Sequence, residues 1–171
     1  MHYLYTDSPT GTLLLAVSAQ GLSGVYFPEH RHFKGIAGWQ AAPEHPLLLA
    51  AAEQLAGYFS GQRQHFDLPL DLSAGTVFQQ AVWRQLARIP FGQTLSYGQL
   101  AQQLGNPAAV RAVGAANGKN PLSIILPCHR VIAANGALTG YAGGLKNKQY
   151  LLNFEANMRQ LKPSVFSGFQ A

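Results

Sequence analysis

Cys128 is the only cysteine among 171 residues. A lone thiol cannot close an internal disulfide, so it is either a small buried hydrophobe or a group kept for its reactivity. Charge is scarce too: 11% of residues are Asp, Glu, Lys or Arg, against roughly 25% in ordinary soluble domains. With 47% hydrophobic residues, that excludes a chain that is largely disordered. No apolar run reaches the roughly 18 residues of a membrane helix. The opening MHYLYTDSPTG has neither the basic start nor the apolar middle of a secretory signal. There is no internal repeat. These absences predict a compact cytoplasmic protein with no membrane partner, whose thiol stays reduced.

Carboxylates thin out sharply along the chain. Residues 1–75 hold three cations against six carboxylates, a formal −3. Residues 76–171 hold nine against Glu155 alone, a formal +8. A body so one-sided in sign points to a polyanion partner. The switch coincides with DLSAGT, which reads as a linker. It divides the chain into residues 1–75, residues 76–157 and a tail, 158–171, in which no period is visible and poor order is expected.

In the first part, HYLYTDSPTGTLLLAVSAQGLSGVYF reads as three strands of a meander, because its apolar stretches are separated by Pro9-Thr10-Gly11 and Gln20-Gly21. PLLLAAAEQLAGYFSG opens on Pro46 and stops at Gly61, a helix with its start and stop signals. HFDLPLDL predicts an edge strand, since Pro69 cannot donate to a ladder. EHRH, at 29–32, lacks a third spaced ligand and reads as an exposed loop, so no metal is expected.

In the second part, TVFQQAVWRQLARIP places Phe78, Ala81, Val82, Leu86 and Ile89 on one helical face. Ser96 can cap a second helix carrying Tyr97, Leu100, Ala101 and Leu104. Gly105-Asn106-Pro107 then predicts a turn with a cap and a first-turn proline for a helix running to Gly118. Two short helices about a glycine-containing turn outline a helix-turn-helix. The last of them, AAVRAVGAANG, is built of small residues around Arg111, as suits a helix that packs closely or approaches DNA shallowly. PLSIILPCHRVI predicts a short strand interrupted by Pro127, AANGAL a hairpin-type turn, and GLKNKQYLLNFEAN a closing helix. The fold class is therefore α+β: a small antiparallel sheet with a helix, followed by a mostly helical part.

A thiol of ordinary pKa is only a few per cent ionised at neutral pH, so a reactive cysteine needs a base or a positive charge beside it. His129 and Arg130 follow Cys128 directly. Beyond residue 75 there is one cysteine, one histidine and one carboxylate. If that part holds a nucleophile, a base and a carboxylate orienting the base, they are Cys128, His129 and Glu155. The bland alternatives stand beside this: Cys128 as core filling, and Glu155 as a counter-charge to Arg130 or Lys148.

PCHRVI, preceded by RAVGAANGKNP and followed by LTGYAGGL, resembles the signature region of the O6-alkylguanine-DNA alkyltransferases. The resemblance runs over about residues 76–156, and the first part is consistent with the family's variable N-terminal domain, of ribonuclease H-like arrangement. It implies transfer of an alkyl group from the guanine O6 in duplex DNA to Cys128, once and irreversibly, without a cofactor. His129 is then the base, acting through a water, with Glu155 holding its tautomer. Asn120 braces the active-site loop, and Tyr97 donates to the guanine ring. Pro127, Val131, Tyr141, Ala142 and Gly143 form the substrate pocket. Arg111 fills the gap left by the flipped nucleotide, and Thr76, Ala109, Ala112 and Gly114 lie against DNA. The protein is expected to be a monomer in solution, with cooperative assembly on DNA left open.

Two positions depart from the family pattern: Val77, where proline is frequent, and Phe154, where histidine is frequent. Three other readings remain: a recognition protein that flips damaged guanine without reacting, a cysteine hydrolase using Cys128 and His129, and a simple helix-turn-helix regulator.

Overall fold

Alternating turns and apolar stretches in the first 26 residues do form a meander. The computed structural model describes residues 1–170, with side chains as far as Leu161. Strands β1 (His2–Thr6), β2 (Leu13–Val17) and β3 (Leu22–Tyr26) pair antiparallel, and β4 (Gln40–Ala41) adds to β1 in parallel, in the order β3-β2-β1-β4. The central strand β2 is buried at all five positions, which explains its continuous apolar run. Helix α1 (Pro46–Phe59) lies across the sheet, starting on Pro46, with His45 Nδ1 accepting from the Leu47 amide. Its buried residues Leu48, Ala51, Leu55 and Tyr58 share one stripe.

The outer edge of β3 is closed from two directions, leaving little ladder exposed. The Leu22 amide donates to Pro69 O at 2.8 Å and the Val25 amide to Pro121 O at 2.9 Å. The expected edge strand over HFDLPLDL shrinks to a single bridge between Leu22 and Leu70. Pro69 offers only its carbonyl there.

Beyond the linker, α2 (Val77–Leu86) and α3 (Tyr97–Gln103) each begin on a capping box, Thr76 with Gln79 and Ser96 with Gln99. The buried face of α2 is Val82, Trp83 and Leu86, with Ile89 just past its end. Phe78 and Ala81, expected in the core, are exposed instead. The Trp83 indole turns inward and donates to Ala116 O at 2.8 Å, which centres the face one residue away from the predicted one. Helix α4 (Val110–Gly118) starts later than expected. The Ala109 amide donates to Asn106 O, so Pro107 sits in a tight turn before the helix and no side chain caps it. Gly105, at φ 74°, makes the turn between α3 and α4. Val113, Ala116 and Asn117 face inward.

PLSIILPCHRVI is not the predicted strand. Residues 121–127 coil in turns, Cys128–Arg130 form one turn of 3-10 helix, and only Val131–Ile132 (β6) extends, pairing in parallel with β5 (Leu95–Ser96). Prolines at 121 and 127 withhold ladder donors, and Ile124 adopts φ 73°. AANGAL does turn, the Ala133 amide donating to Ala137 O. Helix α5 (Leu145–Gln170) continues through the segment expected to be a poorly ordered tail. Met158 packs on the core, and Arg159 Nη1 donates to Gly92 O. Residue 171 lies outside the described residues. Among the described residues no helix is long and apolar enough to cross a membrane. In the EHRH loop Glu29, Arg31 and His32 are exposed, but His30 is buried between aromatic neighbours Tyr26 and Phe27, contrary to the exposed loop expected.

Candidate active site

Cys128 owes its position to one amide. Asn120 Oδ1 accepts from the Leu122 amide at 2.9 Å, while its Nδ2 donates to Leu126 O at 2.8 Å. A single buried side chain thus ties both ends of the SIIL turn and stands in for the missing ladder. The 3-10 turn that follows sets Cys128, His129 and Arg130 on consecutive residues, all buried. Asn117 reaches from α4 toward Cys128 O at 3.4 Å.

His129 and Arg130 converge on Glu155 of α5. His129 Nε2 lies 2.8 Å from Glu155 Oε2, and Arg130 binds both carboxylate oxygens, Nε to Oε1 at 2.8 Å and Nη2 to Oε2 at 2.9 Å. Tyr58 donates its hydroxyl to Oε2 at 2.6 Å, and the Gly92 amide donates to Oε1 at 3.2 Å. Burial alone would raise the Glu155 pKa, but the His129 ring and the Arg130 guanidinium outweigh it and hold the carboxyl well below its usual range. Burial lowers His129, with Glu155 opposing, so the ring is neutral. A carboxylate only accepts, which places the ring proton on Nε2 and leaves Nδ1 with a free lone pair. That atom is buried and has no hydrogen-bond partner among the described residues.

The thiol itself is 3% exposed. Burial pushes it up to about 11, against the lowering pull of the Asn120 amide and the Lys148 ammonium. In this closed arrangement burial favours the protonated thiol at neutral pH. Lys148, buried on α5, donates to Val131 O at 2.8 Å and Thr139 O at 2.9 Å. The Tyr141 phenol lies near enough to Cys128 and Ser123 for their polarity to act on it, without a well-formed hydrogen bond to either. Ser123 Oγ and Asn117 Oδ1 are likewise buried without partners. Buried polar atoms left without partners are rare and each calls for an explanation.

The remaining predicted residues fall in two groups. Pro127 precedes the Cys128 turn and Val131 follows it, both buried. Tyr141 is buried against Phe27. Ala142 O accepts from the Arg31 amide, tying this segment to the first part of the chain. Gly143 packs so closely that an added Cβ would lie 2.3 Å from the Phe27 ring. Tyr97 reaches Thr139, its hydroxyl 3.3 Å from Oγ1. Farther out, Arg111 and Ala112 are exposed on α4 and Ala109 half-buried before it. Gly114 faces the Tyr97 ring, 3.6 Å from where its Cβ would be. Thr76 spends its hydroxyl on capping α2. Three participants were not predicted. Arg130 was read only as a neighbouring charge, Lys148 only as a candidate counter-ion, and Tyr58 carried no signal, being 97 residues from the carboxylate it binds.

Residues 1–72 match the family described as 6-O-methylguanine DNA methyltransferase, ribonuclease-like domain, and residues 77–157 the matching DNA binding domain. The chain belongs to the 6-O-methylguanine DNA methyltransferase family. It is 47% identical over 166 residues to the methylated-DNA–protein-cysteine methyltransferase of Mycobacterium bovis, covering 97% of this chain and 99% of that one. It is 45% identical to the protein of that name from Methanosarcina acetivorans, covering 92% and 99%. The crystal structure of Mycobacterium tuberculosis OGT in complex with DNA superposes with a TM-score of 0.85 at 46% identity, covering 92% of this chain and 94% of that one.

Proposed function

We propose that this protein repairs DNA by moving an alkyl group from guanine O6 to Cys128 in a single, irreversible turnover. The observation that carries the reading is the Cys128–Arg130 turn, in which the thiol is followed directly by a histidine whose Nε2 is locked to Glu155 while Nδ1 remains a free acceptor. Nδ1 takes the thiol proton through an intervening water, and the Lys148 ammonium favours the thiolate as it forms. Sulfur attacks the alkyl carbon, the S–C bond forms, and the C–O6 bond breaks with its electron pair going to the guanine. Tyr97 donates to the base as that charge develops. The product is a thioether, and Cys128 is the only thiol in the chain, so nothing within the protein restores it.

A target stacked in duplex DNA is out of reach of a buried sulfur, so the nucleotide must leave the helix. Arg111, exposed on a helix of small residues in the basic second part, has the length and charge to fill the space left behind. Thr76, Ala109, Ala112 and Gly114 line the same DNA-facing side, and Pro127, Val131, Tyr141, Ala142 and Gly143 wall the base pocket. Asn120 keeps the SIIL turn in shape. Because the thiol is closed off, Tyr141 and its segment shift to admit the base. The two working parts are residues 1–75 and 76–157, and the protein acts in the cytoplasm as a monomer, taking no cofactor. The test is a transfer assay with duplex DNA carrying labelled O6-methylguanine. Label moves to protein and plateaus at one group per molecule; continued release of product beyond that would mean a hydrolase, and binding without transfer a recognition protein.

A further inference from the structure

Tyr58 stands out because the first part of the chain reaches the proposed proton relay through it. Its hydroxyl donates to Glu155 Oε2 at 2.6 Å, the same oxygen that accepts from His129 Nε2 at 2.8 Å and Arg130 Nη2 at 2.9 Å. The ring is fully buried and clamped by Phe59, Phe66, Phe91 and Phe154, with centroids 5.0 to 5.9 Å away. Those rings fix where the hydroxyl points. Burial, and after it the Glu155 charge, keeps the phenol a proton donor well above its usual titration range.

We propose that Tyr58 is a positioning residue: from α1 it holds Glu155 Oε2 and limits how much of that oxygen's charge is available to the His129 ring. A carboxylate oxygen that already accepts from a phenol and a guanidinium is a weaker partner for an imidazole than a free one. His129 is then kept neutral, able to accept a proton, while its orientation is still fixed. The charged groups that act on the ring are Arg130 on its own turn and Glu155 and Lys148 on α5. Tyr58 acts from α1 through Glu155, and the Glu155 charge is also felt by the Tyr141 phenol. The consequence for alkyl transfer rests on the function proposed above; the hold on Glu155 does not.

The experiment follows the His129 ring by NMR across a pH titration of the full-length protein, with Tyr58→Phe compared to wild type. Phe keeps the ring packing and removes only the donor. The His129 midpoint is expected to rise by about half a pH unit in Tyr58→Phe. Transfer from O6-methylguanine DNA should slow about threefold on the acid limb, where rate follows neutral imidazole, and stay within about twofold of wild type at its alkaline plateau. Phe66→Leu loosens the same cluster without touching Glu155; it should lower the melting temperature and leave the His129 midpoint in place. An unmoved midpoint in folded Tyr58→Phe overturns the proposal, as does an equal shift in Phe66→Leu. If wild type transfers nothing, the function proposed above fails while the titration still decides the role of Tyr58.

Discussion

Arg130 grips Glu155 through two roughly parallel N–H···O bonds of 2.8 and 2.9 Å, with both side chains almost wholly removed from solvent. The guanidinium is further held by Ile89 O at 2.6 Å and lies over the Phe91 ring, 5.7 Å from its centroid. Such a pair is costly to break from one side, because the partner left behind is a buried, uncompensated charge. Glu155→Gln is therefore expected to destabilise the protein by about 3 to 5 kcal/mol in urea unfolding. It also removes the acceptor that orients His129, so transfer should fall further than the loss of folded protein explains.

The depressed pKa values of Glu155 and His129 work in one direction on acidification. Each binds a proton more readily in the unfolded chain, so the stability each confers is fully present above its unfolded pKa and declines as pH drops toward its folded value. Stability should begin to fall near pH 6.5, the unfolded histidine value, and fall more steeply below about pH 4.3, the unfolded glutamate value. Glu155→Gln flattens the lower limb; an equally steep limb in that variant would assign it to other groups.

Cys128 has the opposite sign, since burial raises it to about 11. Its contribution is complete below the unfolded value and is lost as pH climbs through the folded one. Between about pH 9 and 11, Cys128→Ala should lose less stability than wild type, by on the order of 2 kcal/mol. At pH 7.5 iodoacetamide should modify native Cys128 far more slowly than it modifies the unfolded chain.

Asn120 bonds to both ends of the SIIL turn, and all the groups involved are buried. Asn120→Ala leaves the Leu122 amide without its acceptor and takes one of two donors from the Leu126 carbonyl, which keeps the Cys128 amide at 2.7 Å, a cost of about 1 to 3 kcal/mol. Urea midpoints measure the stability loss, and transfer rates should drop as the Cys128 turn loosens.

Arg111 is exposed on α4, away from the buried relay. Arg111→Ala should slow repair of duplex DNA by roughly tenfold or more and change reaction with the free alkylated base by less than about threefold. Equal losses on the two substrates would remove Arg111 from the flipping step.

Local signals were legible in the chain wherever the physics is local. Ser96 caps α3 and Pro46 starts α1, as read, whereas the matching cap at Thr76 was missed, that residue having been assigned to DNA alone. Cys128, His129 and Glu155 could be picked out because the second part has so few alternatives, and His129 and Glu155 do meet. The failures lie where distant partners decide. PLSIILPCHRVI has the apolar run of a strand, yet the Asn120 amide and two prolines coil it, and only tertiary context shows that. The inward turn of Trp83 depends on Ala116 O, and Tyr58 on a carboxylate 97 positions away. Burial of the thiol was one of two readings the chain left open, and the sequence could not decide between them because Asn120, Tyr141 and Lys148, which act on the sulfur, come from separate segments.

Intact-mass analysis with peptide mapping, after mixing the protein with excess duplex DNA containing O6-methylguanine, tests the central claim most directly. The account predicts one added methyl per molecule, located on Cys128, and no change in Cys128→Ser. Unmodified protein alongside repaired DNA, or a methyl group on any other residue, would contradict it.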